Sequence, residues 1–295
     1  MRARILHHHD RLGPAERRVA RTLLDRYPLA GLDTVAKLAG AADVSPPTVI
    51  RLANRLGFKG FPVLQAALKA ELQEQMESPL TLYDSYAGSS QEEPAEHSTE
   101  PMLADLAGKV SALQGEAPAS RLDAAVHALA DRRQRIHCIG GRSSRSVASS
   151  LAFHLNLLRP WVSIVDGGAP PLPDQLLDLG RRDTIFVVDF RRYQPDVISF
   201  AEAASARGAR IVLLTDPWLS PIADCADHIL VVDIAVRSPL DTLVTAQALI
   251  ERILLGCIEA LGDGARLRMK QLEVVRRDFT AAVHRREETG LGGDR

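Results

Sequence analysis

Thr48, Arg51 and Asn54 fall three residues apart in the string "SPPTVIRLANRLGFKG", and each is of a type that bonds to the edge of a base. An arginine fork matches guanine O6 and N7, an asparagine amide matches adenine N6 and N7, and a threonine offers a hydroxyl or a methyl contact. Ser45 and Pro47 lead into them. Arg55, Lys59 and the group Arg17, Arg18 and Arg21 supply cations suited to phosphates. A plain helical bundle with a solvated polar face has the same composition, so this chemistry depends on a scaffold that aims it. A second loaded stretch is Gly140-Gly141-Arg142-Ser143-Ser144, which places backbone N–H groups and two hydroxyls where a helix begins, a setting that favours anions. A glycine turn with a serine cap fits the same residues. A third is Asp189-Phe190-Arg191-Arg192-Tyr193-Gln194. Its two arginines fit a clamp on a carboxylate or phosphate, plain surface charges, or contacts with another subunit.

Other chemistry has little to build on. Cys138, Cys225 and Cys257 are far apart and read as small hydrophobes of a reduced compartment rather than a disulfide or zinc set. The run His7-His8-His9-Asp10 cannot easily converge on one ion and reads as a solvated segment. His137, His154 and His228 fall in strand or helix patterns, and no general base stands beside a substrate anchor. No catalytic residue, metal ligand or cofactor motif is assigned.

The elements that must hold these residues punctuate themselves. Pro14 opens a helix carrying Val19, Ala20, Leu23 and Leu24 and ending at Tyr27, before Pro28. Asp33 or Thr34 caps a second, with Val35, Leu38 and Ala39. Ser45 caps a third that runs to Leu56, with Gly57 as its stop. Val49, Leu52, Ala53 and Leu56 then point inward, leaving Pro47, Thr48, Arg51, Asn54 and Arg55 on the outer face. Two short helices joined by a tight turn, the second basic outside, match helix-turn-helix geometry. Residues 78–120 break the pattern with prolines, glycines and acids, although Met102–Leu113 suits a short amphipathic helix. Beyond Asp123, β-branched runs (Arg135–Ile139, Trp161–Val165, Thr184–Asp189, Ala209–Thr215, His228–Val232) alternate with helical segments that include Val197–Arg207 and Leu240–Leu261. That alternation predicts a doubly wound parallel sheet, whose ligands bind beyond the carboxyl ends of its strands. The fold class is therefore α plus α/β, divided into a helical domain (1–77), an acidic linker (78–120), a sheet domain (121–264) and a C-terminal helix with a disordered tail (265–295).

Charge follows the same division. The net charge is −1, yet residues 1–77 carry about +4, residues 78–120 about −6 and the remainder about +1. Only the first segment has the sign a polyanion attracts. No apolar run approaches the roughly 20 residues of a membrane span, and no signal-peptide core opens the chain, so a cytoplasmic setting is expected.

The string "VAKLAGAADVSPPTVIRLANRLGFKGFPVLQAALKAEL" resembles the N-terminal domain of the RpiR/MurR family of bacterial transcriptional regulators. The resemblance rests on Leu38-Ala39, Val44-Ser45, Thr48-Val49, Arg51, Leu56-Gly57-Phe58 and Gly60-Phe61. Asp43 departs from it, standing where such turns usually carry glycine, but Asp tolerates the left-handed region. The second half is similar to the SIS (sugar isomerase) domain of the same family, through Thr215-Asp216, Ser220-Pro221, Ala223, Ala226-Asp227 and the first-loop "GGRSSR". Phosphosugar-binding SIS domains usually carry a Ser-x-Ser-Gly-x-Thr cradle after the third strand, and this chain has "DFRRYQP" there. The resemblance implies a DNA-binding regulator of carbohydrate or related metabolism, not an enzyme. It further implies a homodimer or homotetramer on a palindromic double-stranded operator, responding to a small anionic effector such as a sugar phosphate. The residues for that effector are Gly140, Gly141, Ser143, Ser144, Asp189, Arg191 and Arg192. An SIS-type isomerase, or a DNA binder with a vestigial sensing domain, is the alternative.

Overall fold

The computed structural model describes residues 1–8, 12–25, 27–76, 99–116, 119–168, 171–236 and 238–290, together with Leu80 and Tyr83. The first unit is helical: α1 (Arg2–His8), α2 (Pro14–Asp25), α3 (Leu29–Leu32), α4 (Val35–Ala41), α5 (Pro46–Arg55) and α6 (Phe61–Met76). One apolar stripe from each main helix meets in a common core. Val19, Ala20 and Leu23 come from α2, Leu38 and Ala39 from α4, Val49, Leu52 and Ala53 from α5, and Leu64 and Leu68 from α6. Two expectations change. The first long helix ends at Asp25, and a separate short helix follows Pro28. The N-terminal segment forms α1, which docks through Ile5 in the core; of the histidine run expected to be solvated, His7 is exposed and His8 half-buried, while His9 and Asp10 lie outside the described residues.

Between the units, α7 (Thr99–Glu116) extends the short helix expected at 102–113, and its Leu113 is buried in the core of the second unit. The second unit then runs α8 (Ala119–Ala130), β1 (Arg135–Gly140), α9 (Arg145–Leu158), β2 (Val162–Ile164), α10 (Leu172–Gln175), β3 (Asp183–Asp189), α11 (Pro195–Ala206), β4 (Arg210–Thr215), β5 (His228–Val231), α12 (Val244–Leu261) and α13 (Asp263–Gly290). The five strands lie in the order β2-β1-β3-β4-β5, all parallel. Successive strand residues face opposite sides. Ile136, Cys138, Phe186, Val188, Val212 and Leu214 meet α8, α9 and α12 on one face. Ile139, Ile185, Val187, Ile211 and Leu213 meet α11 on the other. β3 is buried at every position, as the middle of a sheet covered on both faces must be.

Each strand boundary lies within one residue of expectation. The helix expected over Leu240–Leu261 starts later, at Val244, because Asp241 and Thr242 are committed elsewhere: Asp241 holds Arg191, and the Thr242 N–H donates to the Ile234 carbonyl at 2.9 Å. α13 reaches Gly290, into the tail expected to be disordered. The cysteines are free, Cys138 and Cys257 buried and Cys225 half-buried; burial pushes the thiols of Cys138 and Cys257 up to about 12.

Arg159 fastens the floor of this unit. Its side chain is wholly buried at the end of α9. It donates to four backbone carbonyls, those of Pro160 (3.2 Å), Leu129 (2.6 Å), Asp131 (2.9 Å) and Gln134. Burial lowers its pKa.

Candidate nucleic-acid interface and sheet-edge site

The turn between α4 and α5 is closed by Asp43, which adopts φ +50 where a residue with no side chain is the usual solution. Its N–H donates to the Gly40 carbonyl at 3.2 Å and the next, Val44, to that of Ala39 at 3.0 Å. The Asp43 carbonyl in turn accepts from Arg18 Nη2 at 3.2 Å. α5 then begins on Ser45, with Pro46 and Pro47 in positions whose missing N–H costs nothing. Gly57, at φ +84, ends it.

The structure moves one expected base-reading residue. Thr48 is buried, 3% exposed, beneath the outer face of α5. Its hydroxyl lies 3.1 Å from the Ser45 hydroxyl and accepts from Arg51 Nη2 at 3.0 Å. Thr48 therefore sits at the edge of the apolar stripe and orients Arg51 instead of reaching outward itself. Pro47, Arg51 and Asn54 are exposed as expected, and so is Ile50, which the sequence pattern does not single out as a contact. A signal for it exists: Ile50 is apolar yet falls off the stripe formed by Val49, Leu52 and Ala53. Arg55 is exposed but its Nε lies 3.1 Å from Glu16, so its charge is already matched. Lys59 is exposed in the turn beyond. Arg17 Nε donates to the Leu12 carbonyl at 2.9 Å, a bond that fixes the side chain.

At the carboxyl edge of the sheet the two expected loops do come together. Gly141 lies so close to Gln194 that a Cβ there would fall 2.3 Å from Gln194 Oε1, and the same oxygen accepts from the Arg142 N–H. A Cβ on Gly140 would come within 2.8 Å of the backbone of Ser144 and Arg145. Gly140 thus serves close packing of the turn onto the start of α9, and Gly141 its packing against Gln194 in the loop after β3. Ser143 is exposed and Ser144 buried.

Asp189 is buried behind this turn, accepting from the Ser220 hydroxyl at 2.5 Å and the Gln194 N–H at 3.4 Å. Burial pushes its carboxyl up to about 6. Asp216, fully buried, has the matching role beyond the end of β4. It accepts from Tyr193 Oη at 2.8 Å, the Trp218 N–H at 3.0 Å and the Arg191 N–H, and burial pushes it also to about 6. Gln194, Ser220 and Asp241 lie tens of residues from the groups they hold, in Arg142, Asp189 and Arg191, and a sequence pattern does not register those pairings.

The arginines correct a second expectation. Arg191 turns inward: its side chain is 8% exposed, forms a two-point ion pair with Asp241 (Nε to Oδ2 2.8 Å) and stacks over Trp218 at 4.8 Å. Its charge is spent on an internal carboxylate, which answers the anion-clamp role with a structural one. Arg192, at φ +66, approaches the same Asp241 at 4.0 Å and stays exposed enough to face a ligand. Arg142 and Arg145 are exposed at the same edge, Arg145 in an ion pair with Asp166 at 2.7 Å. Among the described residues no group of His, Cys, Asp and Glu is arranged for a metal ion, and no helix is long and apolar enough to cross a membrane.

Known proteins share both halves. Residues 1–75 match the helix-turn-helix domain of the rpiR family, and residues 128–255 match the SIS domain. The HTH-type transcriptional regulator HexR of Pseudomonas aeruginosa is 27% identical over 264 residues, covering 88% of this chain and 86% of its own. The HTH-type transcriptional regulator YfhH of Escherichia coli is 37% identical over 76 residues, which is 26% of this chain and 27% of that protein. The sugar isomerase domain of an RpiR transcription factor from Sphaerobacter thermophilus superposes with a TM-score of 0.55 at 23% identity, over 59% of this chain and 96% of that one.

Proposed function

Because this chain belongs to the RpiR family, with an rpiR-type helix-turn-helix domain followed by a SIS domain, we propose that it is a ligand-responsive regulator that reads double-stranded DNA through α5. The observation that carries this is the outer face of that helix. Pro47, Ile50, Arg51 and Asn54 stand exposed there while Val49, Leu52 and Ala53 lock the opposite face into the core. Arg51 suits guanine, Asn54 adenine, and Ile50 a thymine methyl. Ser45 and Thr48 hold Arg51 in place, and Lys59, Arg17, Arg18 and Arg21 supply phosphate contacts, with Arg55 weakened in that role by Glu16. One such module reads few base pairs, so the chain binds a palindromic operator as a homodimer or higher homo-oligomer, its half-sites about one helical turn, or a multiple, apart. Selection from a random duplex pool is expected to return an inverted repeat; enrichment of no sequence at all would sink the reading.

In this reading the chain divides at 77, 120 and 264 into DNA-reading domain, linker, sensing domain and C-terminal helix. The ligand is a small anion, a carbohydrate derivative or similar, at the edge where Ser143, Arg142, Arg145 and Arg192 face outward. The Gln194 carboxamide holds the Arg142 N–H in the free protein, so an anion reaching the turn must displace it. Gln194→Ala is therefore expected to increase the rise in melting temperature caused by inorganic phosphate, since a ligand stabilises by mass action. A variant that responds no more than the parent would count against this site. The regulators among its relatives favour a regulator over an isomerase, and Asp189, the carboxylate at the end of β3, is buried and held by Ser220 rather than presented as a base.

A further inference from the structure

Four polar side chains gather on one face of the sheet, in its amino-terminal half and away from the edge described above. Arg135 and Asp183 are cross-strand neighbours on β1 and β3, and His137 and Ser163 on β1 and β2. Alternation along the strands turns all four to the side of Ile139 and Ile185. α11 covers that face over β3 and β4, while Ser163, on the edge strand, is exposed.

The four form a relay. Asp183 is wholly buried and accepts from Nε and Nη2 of Arg135, each at 2.7 Å, from the Gly180 N–H at 2.8 Å and from His137 Nε2 at 2.9 Å. Burial alone would raise its pKa, but these partners hold it below the ordinary value, so it stays a carboxylate. A carboxylate only accepts, so the neutral imidazole carries its proton on Nε2 and leaves Nδ1 as an acceptor. Ser163 Oγ lies 2.9 Å from that Nδ1 and donates to it. A hydroxyl bonded to a base that a third group orients is the arrangement of an activated nucleophile.

We propose that Ser163 is a site of self-acylation by small acyl phosphates, with His137 as its base and Asp183 fixing the tautomer of that base. The serine oxygen forms a bond to the acyl carbon, its proton passes to His137 Nδ1, and the bond from that carbon to the phosphate oxygen breaks. Phosphate leaves with the electron pair and takes the proton from the imidazolium, so the chain keeps a neutral ester. Two features select this class of donor. The serine is open at the sheet edge, so the reagent must bring its own good leaving group. Once His137 is protonated, it outweighs the balanced pair of Arg135 and Asp183, and the resulting positive charge suits both the anionic intermediate and the departing phosphate. The Trp161 carbonyl and the Val165 N–H bond to β1, so alternation leaves the Ile164 N–H, next to Ser163, on the free edge as a donor for the developing oxyanion.

This inference stands apart from DNA reading and is tested without DNA. The full chain is treated with acetyl phosphate, quenched in acid and mapped by mass spectrometry. Ser163 is expected to gain an acetyl group roughly 10²–10⁴-fold faster than Ser111, an exposed serine whose hydroxyl donates to the Ala107 carbonyl at 2.9 Å and has no base beside it. His137→Gln should bring Ser163 down to the Ser111 rate in a chain that still unfolds cooperatively in urea. A Ser163 no faster than Ser111, phosphoryl in place of acetyl transfer, or an undiminished rate in His137→Gln overturns the assignment. If His137→Gln fails to fold, the surface substitutions Ser163→Cys and Ser111→Cys replace it. Iodoacetamide should then label position 163 well ahead of position 111, and equal rates overturn the role of His137.

Discussion

Arg159→Ala is expected to destabilise the second unit by at least about 3 kcal/mol and to lower its melting temperature by about 6–12 °C. The size follows from what the side chain leaves behind. Four carbonyls, at the end of α8, in the turn into β1 and beside Arg159 itself, take their hydrogen bonds from one wholly buried guanidinium, the bond to Leu129 fully enclosed and the other three partly so. A buried polar group deprived of its partner costs roughly 1–3 kcal/mol, and removing the long stem adds a cavity on top. Arg159→Lys keeps the charge and loses the planar fork, so it should recover only a fraction of the loss. Chemical denaturation checks both variants, and an Ala variant as stable as the parent would mean the carbonyls find other donors.

The second large effect concerns affinity. Arg51→Ala is expected to weaken operator binding by about 1–3 kcal/mol, or roughly 5–150-fold, and to relax the base preference at one position per half-site. Removing a phosphate contact behaves differently: Lys59→Ala should weaken all sequences alike and reduce the salt slope by about one. Because Thr48 holds Arg51 from beneath, Thr48→Val should reproduce some of the Arg51 loss without exposing a new contact. Binding curves for the operator and for scrambled DNA at two salt concentrations distinguish these cases. Unchanged discrimination in Arg51→Ala would displace α5 as the reading helix.

The features of this architecture that sequence makes legible are those decided locally. β3 stands out because a central parallel strand is buried on both faces, and its middle, Ile185 to Val188, is written wholly in apolar residues. α5 stands out because Ser45, Pro46 and Gly57 specify its start and stop. What sequence does not reveal is decided by partners far along the chain. Arg191 and Asp241 are 50 residues apart, and nothing in "DFRRYQP" says that the first arginine turns inward while the second stays out. Thr48 escapes the sequence pattern for a subtler reason. It lies at the margin of the helical stripe, where small differences in rotation decide between core and solvent, and its hydroxyl finds two partners inside. Ile5 likewise needs the finished core before its short helix has somewhere to dock.

If the first loop takes an anion as proposed, the Gln194 side chain, bound to the Arg142 N–H there, also fixes a concentration scale. A group tethered beside a site competes for it at a constant local strength, whatever the cell contains. The apparent dissociation constant is then the intrinsic one divided by the fraction of molecules in which the tether has swung away. A sensor arranged in this manner stays silent through background levels of its metabolite and answers only a surplus. Its threshold can be retuned by a single residue that no signal molecule need contact for long.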